Sequence, residues 1–263
     1  MKAVLVFLSL IFLHLSSAAN AVQALTSEQL KLIGEKIYLN ETGGKAEHLV
    51  AWNDGESFAS LGIGHFIWFP ENLESPFTET FPGLISYFES RDVAVPQWLL
   101  AERDCPWQTK PAFYNAQNSE KMMSLRKLMA STFEQQVEFI YQRMQGALDT
   151  MLNELNDPVE KSLVNERFKA LAETEAGMYA LIDYVNFKGE GTADSEKYQG
   201  QGWGLLQVLL AMETDKKNIN QAFTKACGDI LTRRVENSPQ QEVEQRWLAG
   251  WKRRCSTYSS FPN

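Results

Sequence analysis

The chain is poor in the residues that hold metals or staple small folds. It has three cysteines and three histidines in 263 residues. Three cysteines cannot make a disulfide framework, and no Cys or His cluster has ligand spacing, so neither a metal nor any other cofactor is expected. Basic residues are also in the minority, 25 Lys and Arg against 33 Asp and Glu, for a formal charge of -8. Phosphate binding needs a basic face, which argues against nucleic acid as a partner. Long apolar runs are absent too. The longest, Ala3 to Leu15, is interrupted by Ser9 and His14 and falls short of the ~20 residues that a spanning helix needs. No repeat or low-complexity block occurs.

Lys2, the stretch Ala3 to Leu15 and the small residues ending in Ala19-Asn20-Ala21 form the three-part pattern of a secretory signal peptide. Residues 1–21 are therefore expected to be removed, leaving one domain over 22–263 that is exported. The periplasm is the expected destination, since no wall-binding repeat or anchor follows, and a monomer is expected. In an oxidising compartment two of Cys105, Cys227 and Cys255 can pair. A helix hairpin turning near Asn237-Ser238 would set Cys227 opposite residue 248, about 10 Å from Cys255 along the axis, which disfavours that pair and points to Cys105.

Thr26-Ser27-Glu28-Gln29 reads as a capping box. Leu30, Ile33, Ile37 and Glu41 then follow helical spacing until Gly43-Gly44, so Glu41 falls at the end of a helix on its apolar face. Leu49 to Trp52, the turn Asn53-Asp54-Gly55-Glu56, and Phe58 to Ile63 predict a β-hairpin. Beyond Pro70 nearly everything is predicted helical. Further starts are marked by the capping box Ser131 to Glu134 and by Asp157-Pro158-Val159-Glu160 and Ser238-Pro239-Gln240-Gln241. A Gly-rich interruption from Lys188 to Gly204 divides two helices. The fold class is α+β, mainly helical, with a small antiparallel hairpin and a large helical lobe; residues 218–263 form a helical C-terminal extension.

Glycoside cleavage needs an acid still protonated near neutral pH and a second group that carries negative charge or activates water. Glu41 suits the first role. A helix C-terminus and an apolar face both oppose ionisation, so its pKa is expected to be raised. Asp54, Glu56 and Ser60 are the candidates for the second. The series Glu41, Asp54, Ser60-Leu61-Gly62-Ile63-Gly64-His65 resembles phage-type lysozymes. There a helix-end Glu is followed by a strand Asp, a hydroxyl residue and a Gly-Ile-Gly-His or Gly-Tyr-Gly-His turn. The resemblance, over about residues 26 to 68, implies a lysozyme-like fold, Glu41 as general acid, and Asp54 with Ser60 opposite it. This chain has Ser where the family usually has Thr, and a longer Glu41 to Asp54 gap, so Glu56 competes with Asp54. His65 is expected to hold the hairpin through one ring nitrogen.

Asp183-Tyr184-Val185-Asn186-Phe187-Lys188-Gly189-Glu190-Gly191 resembles the aromatic-Asn-x-Gly segment on the far wall of the same family's cleft. That implies substrate contacts for Asn186 and Glu190, with Asn186 offering donor and acceptor to an acetamido group. Trp203 is a candidate sugar platform and Gln207 a candidate polar contact. Gly204-Leu205-Leu206-Gln207 is similar to the Gly-Leu-Met-Gln motif of soluble lytic transglycosylases, which would make Glu190 the rival acid. Arg143, Arg167 and Lys252-Arg253-Arg254 read as solvated helix faces. The expected activity is cleavage of β-1,4 bonds in peptidoglycan glycan strands. The alternatives are a lytic transglycosylase using Glu41 or Glu190, a chitosanase-like enzyme, and a peptidoglycan-binding protein on the same scaffold without turnover.

Overall fold

A computed structural model describes residues 25–75, 77–213 and 218–261; the predicted signal segment lies outside them. The first helix, α1 (Ser27–Thr42), starts on a reciprocal capping box between Thr26 and Gln29 and stops at Gly43 in the left-handed region, as the sequence predicts. Its Ile33 and Ile37 are buried, which carries Glu41, one turn further on, to the inner face.

Three short strands follow, β1 (Val50–Ala51), β2 (Ala59–Leu61) and β3 (Phe66–Trp68), in one antiparallel sheet of that order. The predicted hairpin pairs Val50 with Leu61 and Ala51 with Ser60. The third strand is an addition to it. Gly62 to His65 turns between β2 and β3, which brings Ala59 opposite Trp68 and Leu61 opposite Phe66. Trp52, Phe66 and Trp68 are buried, so all three belong to the core.

The remaining chain is helical: α2 (Phe81–Ser90), α3 (Gln97–Ala101), α4 (Lys110–Asn115), α5 (Glu120–Ser131), α6 (Phe133–Glu154), α7 (Pro158–Ala172) and α8 (Glu175–Lys188). A small ribbon of β4 (Lys197–Tyr198) and β5 (Gln201–Gly202) fills the Gly-rich interruption, and α9 (Leu205–Ala211), α10 (Ile219–Asn237) and α11 (Gln241–Ser256) follow it. Asp157 caps α7 through Val159 N at 2.8 Å. The expected capping box at Ser131 does not form. Thr132 stands at the boundary instead, and its hydroxyl turns back to the Leu128 carbonyl at 2.7 Å.

The long helix α6 packs against α1, α2, α7 and α8 and joins the sheet side to the helical side. Gln136, buried within it, accepts from Ile63 N at 2.9 Å and donates to Met129 O at 2.7 Å. Gly62, at φ 71°, leaves room for that amide, and a Cβ there would overlap it. The Gly62 to His65 turn is thereby fixed to a rigid element.

The C-terminal helices pack onto α7, α8 and α9. Here the cysteine expectation is overturned: Cys227 and Cys255 form a disulfide with their Cα atoms 5.9 Å apart, and Cys105 is free and buried. The predicted helix start at Ser238 is early. Ser238 Oγ accepts from Gln240 N at 3.0 Å, and α11 begins only at Gln241. Each position by which the turn moves shifts the facing residue by two. Pairs across α10 and α11 are accordingly centred on residues 239 to 241, as Arg234 with Glu244 and Cys227 with Cys255.

Candidate active site

Glu41 is 11% exposed at the end of α1, between the sheet and α8. Its Oε1 accepts from Arg254 Nη2 at 2.7 Å and from Asn186 Nδ2 at 3.2 Å, and its Oε2 is 3.5 Å from His65 Nδ1. Asn186 Nδ2 also donates to Gly64 O at 3.1 Å, tying α8 to the turn that carries His65. The reverse amide orientation would aim Oδ1 at two oxygens, so this one is fixed. Asn186 is thus a clamp on Glu41. Its donor is engaged within the protein and its Oδ1 is buried without a partner among the described residues, contrary to the expected double contact with an acetamido group.

A chain of side chains leads from Glu41 across to β2. His65 Nε2 lies 2.9 Å from Asn53 Nδ2, Asn53 Nδ2 donates to Glu56 Oε2 at 3.1 Å, and Ser60 Oγ donates to the same oxygen at 3.1 Å. Of the three candidates for the second group, Glu56 and buried Ser60 therefore belong to the site. Asp54 does not. Its side chain is fully exposed and pairs with Lys110, because Asp54 and Gly55 occupy the tip of the turn while Glu56 folds back toward the strand. A neutral His65 accepts from Asn53 at Nε2 and keeps its proton on Nδ1, facing Glu41. A charged ring requires Asn53 to present its Oδ1 instead, which releases Glu56.

The electrostatics reverse the expectation for Glu41. Burial raises its pKa, but Arg254 and His65 outweigh burial and hold the carboxyl at about 2. Burial likewise opposes charge on His65, while the Glu41 and Glu56 carboxylates override it and raise the imidazole above its ordinary value. Arg254 is fixed from behind by Asp183, which accepts from Nε at 2.7 Å and Nη2 at 2.8 Å, and Tyr258 OH donates to Asp183 Oδ2 at 2.7 Å. Two carboxylates and one guanidinium leave one negative charge, and a proton on the Glu41–His65 pair balances it.

Arg254, Asp183, Tyr258 and Asn53 complete the site, and sequence reading missed all four. The sequence places Arg254 on a solvated face, but it is 9% exposed. A signal existed in its neighbour Cys255, seven positions after buried Leu248 on the inner stripe of α11. Asp183 stands inside the fully buried run Ala176–Val185, where a carboxylate must have a partner.

The second group of candidates falls mostly to structure. Trp203 is only 6% exposed and packs between Tyr198 and Arg234, so it offers no sugar platform. Gln207 Nε2 donates to Gly191 O at 3.0 Å and its Oε1 is buried, which makes it a brace for the Gly-rich segment. Gly204 is required there, since a Cβ would overlap the Gly191 backbone. Arg167 caps the end of α9 through the Leu209 and Leu210 carbonyls. Glu190 lines an open pocket of about 480 Å³ with Tyr87, Phe139, Gln142, Arg143 and Gly146, so Arg143 also faces a concavity. Among the described residues no cluster is arranged to hold a metal, and no helix is long and apolar enough to cross a membrane. The chain matches no protein-family model, no curated protein and no solved structure.

Proposed function

We propose that the chain is a lysozyme-like glycoside hydrolase that cleaves β-1,4 bonds in peptidoglycan glycan strands, with Glu41 as general acid and Glu56 as the opposing carboxylate. One observation carries this reading: two carboxyl groups, Glu41 and Glu56, stand on either side of His65 and Asn53, at successive separations of 3.5, 2.9 and 3.1 Å. The resting carboxylate at Glu41 is the step that needs explanation. The charged ring of His65, with Asn53 Oδ1 accepting from Nε2, holds its second proton on Nδ1, 3.5 Å from Glu41 Oε2. A bound glycan excludes water, which favours a neutral carboxylic acid and a neutral imidazole over the ion pair. The proton moves to Glu41 and from there to the leaving oxygen. Glu56, held by Ser60, faces the positive charge that develops on the sugar. The Cys227–Cys255 disulfide supports action in an oxidising compartment, in keeping with export and the periplasm.

The test is release of muropeptides from isolated peptidoglycan by wild-type, Glu41→Gln and Glu56→Gln proteins. Loss in both variants is expected, and equal release by all three would sink the reading. Products lighter by one water would replace hydrolysis with transglycosylation. A second reading, a glycan-binding scaffold without turnover, draws on the Glu41 carboxyl being held at about 2. Binding by all three proteins without release is its signature.

A further inference from the structure

Between Glu41 and Trp203, cations and aromatic rings alternate. Arg254 Cζ lies 4.0 Å from the Phe187 ring centroid, and Lys188 Nζ lies 4.0 Å from the same ring and 3.8 Å from Trp251. Arg234 Cζ continues the series, 4.9 Å from Trp251 and 4.2 Å from Trp203. Two of the three cations have carboxylate partners. Arg254 bonds to Glu41 and Asp183, and Arg234 bonds to Glu244 through Nε at 3.0 Å and Nη2 at 2.9 Å. Lys188 makes no ion pair or hydrogen bond to the described residues. Ring faces answer part of its charge, but an ammonium carries three donors that rings do not satisfy.

Access distinguishes Lys188 further. Arg234 and Arg254 are 7% and 9% exposed, whereas Lys188 and Trp251 are only partly buried. From Trp251 the aromatic surface runs one turn back along α11 to Trp247, whose ring centroid is 6.0 Å away and which is 49% exposed. Toward the other end, Arg254 stands at Glu41. Trp247 and Trp251 on α11 and Lys188 on α8 thus lie side by side, and Arg254, further along α11, leads from them to Glu41 at the end of α1.

We propose that Lys188, Trp251 and Trp247 form a binding site for a carboxylate-bearing saccharide, with the carboxylate on Lys188 Nζ and the sugar faces on the two indoles. This rests on the glycan reading of Glu41 and adds an anionic substrate class to it. A neutral sugar could accept hydrogen bonds from Nζ but would not balance its charge. Of the three cations in the series, both arginines are already bonded to carboxylates, which leaves Lys188 alone to meet an anion. One carboxylate matches one amine. It can belong to the sugar itself, as in muramic acid stripped of peptide, or to a peptide stem.

The surroundings also give the site a signature. Burial, Arg234 and Arg254 push the Lys188 amine well below its ordinary pKa, against the pull of Glu244 and Glu41. A carboxylate that docks on Nζ favours the charged amine and opposes that shift.

The experiment is calorimetric titration of Glu56→Gln protein, which leaves Lys188 and its neighbours in place and is expected to spare the ligand. Three glycans of equal length are compared: a neutral chitin oligomer, a peptide-stripped peptidoglycan strand with free lactyl carboxylates, and the same strand with stems. A carboxylated strand should bind about tenfold tighter than the neutral one, the scale of one charge-assisted hydrogen bond. Adding Lys188→Met or Lys188→Gln should erase that preference. Preference for the stripped strand assigns the carboxylate to the sugar, and preference only for the stem-bearing strand assigns it to the stem. Equal binding of neutral and carboxylated glycans, no binding of any, or a preference that survives loss of Lys188 would overturn the site. Selective binding without cleavage by wild-type protein would instead remove the hydrolytic reading and leave the site standing.

Discussion

Arg254 reaches back 213 positions to place Nη2 2.7 Å from Glu41 Oε1, so the last long helix completes a site that the first helix begins. The guanidinium is wedged between Glu41 and Asp183, both largely shielded from water. Removing one member of such a buried set leaves charge unpaired, at a cost of about 3–5 kcal/mol. Arg254→Met is therefore expected to lower unfolding free energy by that amount in urea titrations. A loss below about 1 kcal/mol would mean that Asp183 and Glu41 find other partners.

The Glu41–His65 pair sets the pH range of stability. Glu41 is held at about 2 against an ordinary 4.5, so its contribution is complete above the ordinary value and disappears as pH falls toward 2. His65 is raised above 6.5, so its contribution is complete below that value and fades as pH climbs through the raised one. Maximum stability is expected between about pH 4.5 and 6.5. The acid limb should amount to roughly 2–3 kcal/mol and flatten in Glu41→Gln. Urea titrations at pH 2 to 8 check this, and an acid limb of unchanged depth in Glu41→Gln would assign it to other carboxylates.

Within the turn, Glu56 and Asp54 make opposite predictions. Glu56 accepts from Asn53 and Ser60 inside the site, whereas Asp54 is at the exposed tip. Glu56→Gln is expected to lower glycan cleavage by about 10²–10⁴-fold, the range of a lost acid or base group. Asp54→Asn should leave the rate within about twofold, as for an exposed residue that touches no reacting group. Initial rates on soluble glycan oligomers separate the two, and the reverse ranking would return Asp54 to the site.

How much of this was legible in the sequence depended on whether the signal was local. The capping box at Thr26, the apolar stripe through Ile33 and Ile37, and the Gly43 stop placed Glu41 correctly, because helix ends are written within one turn of chain. The β1–β2 hairpin followed from two short apolar runs on either side of a recognisable turn. Partners supplied from far along the chain were not readable. Spacing alone indicated neither that Arg254 would be drawn inward by Asp183 nor that it would ionise the Glu41 carboxyl. Asp54 and Glu56 are two residues apart on one turn, and only the fold of that turn separates exposed tip from site. The Cys227–Cys255 pairing failed for a smaller reason: Ser238 caps a turn ahead of α11, and a hairpin doubles every error in the position of its turn.

That pairing gives a thiol count that can be checked directly. Cys105 is fully buried, and burial pushes its thiol up to about 12, so it is both inaccessible and scarcely ionised at neutral pH. A thiol reagent should label no cysteine in the native protein, one after unfolding without reductant, and three after unfolding with it. Because Cys255 is adjacent to Arg254, opening the bridge should also loosen the clamp on Glu41. Cys227→Ala with Cys255→Ala is expected to cost about 2–4 kcal/mol of stability, the usual range for a disulfide. The double variant should weaken the acid limb of the stability profile along with it. A loss of stability with that limb intact would separate the bridge from the site and leave Asp183 and Tyr258 alone in holding Arg254.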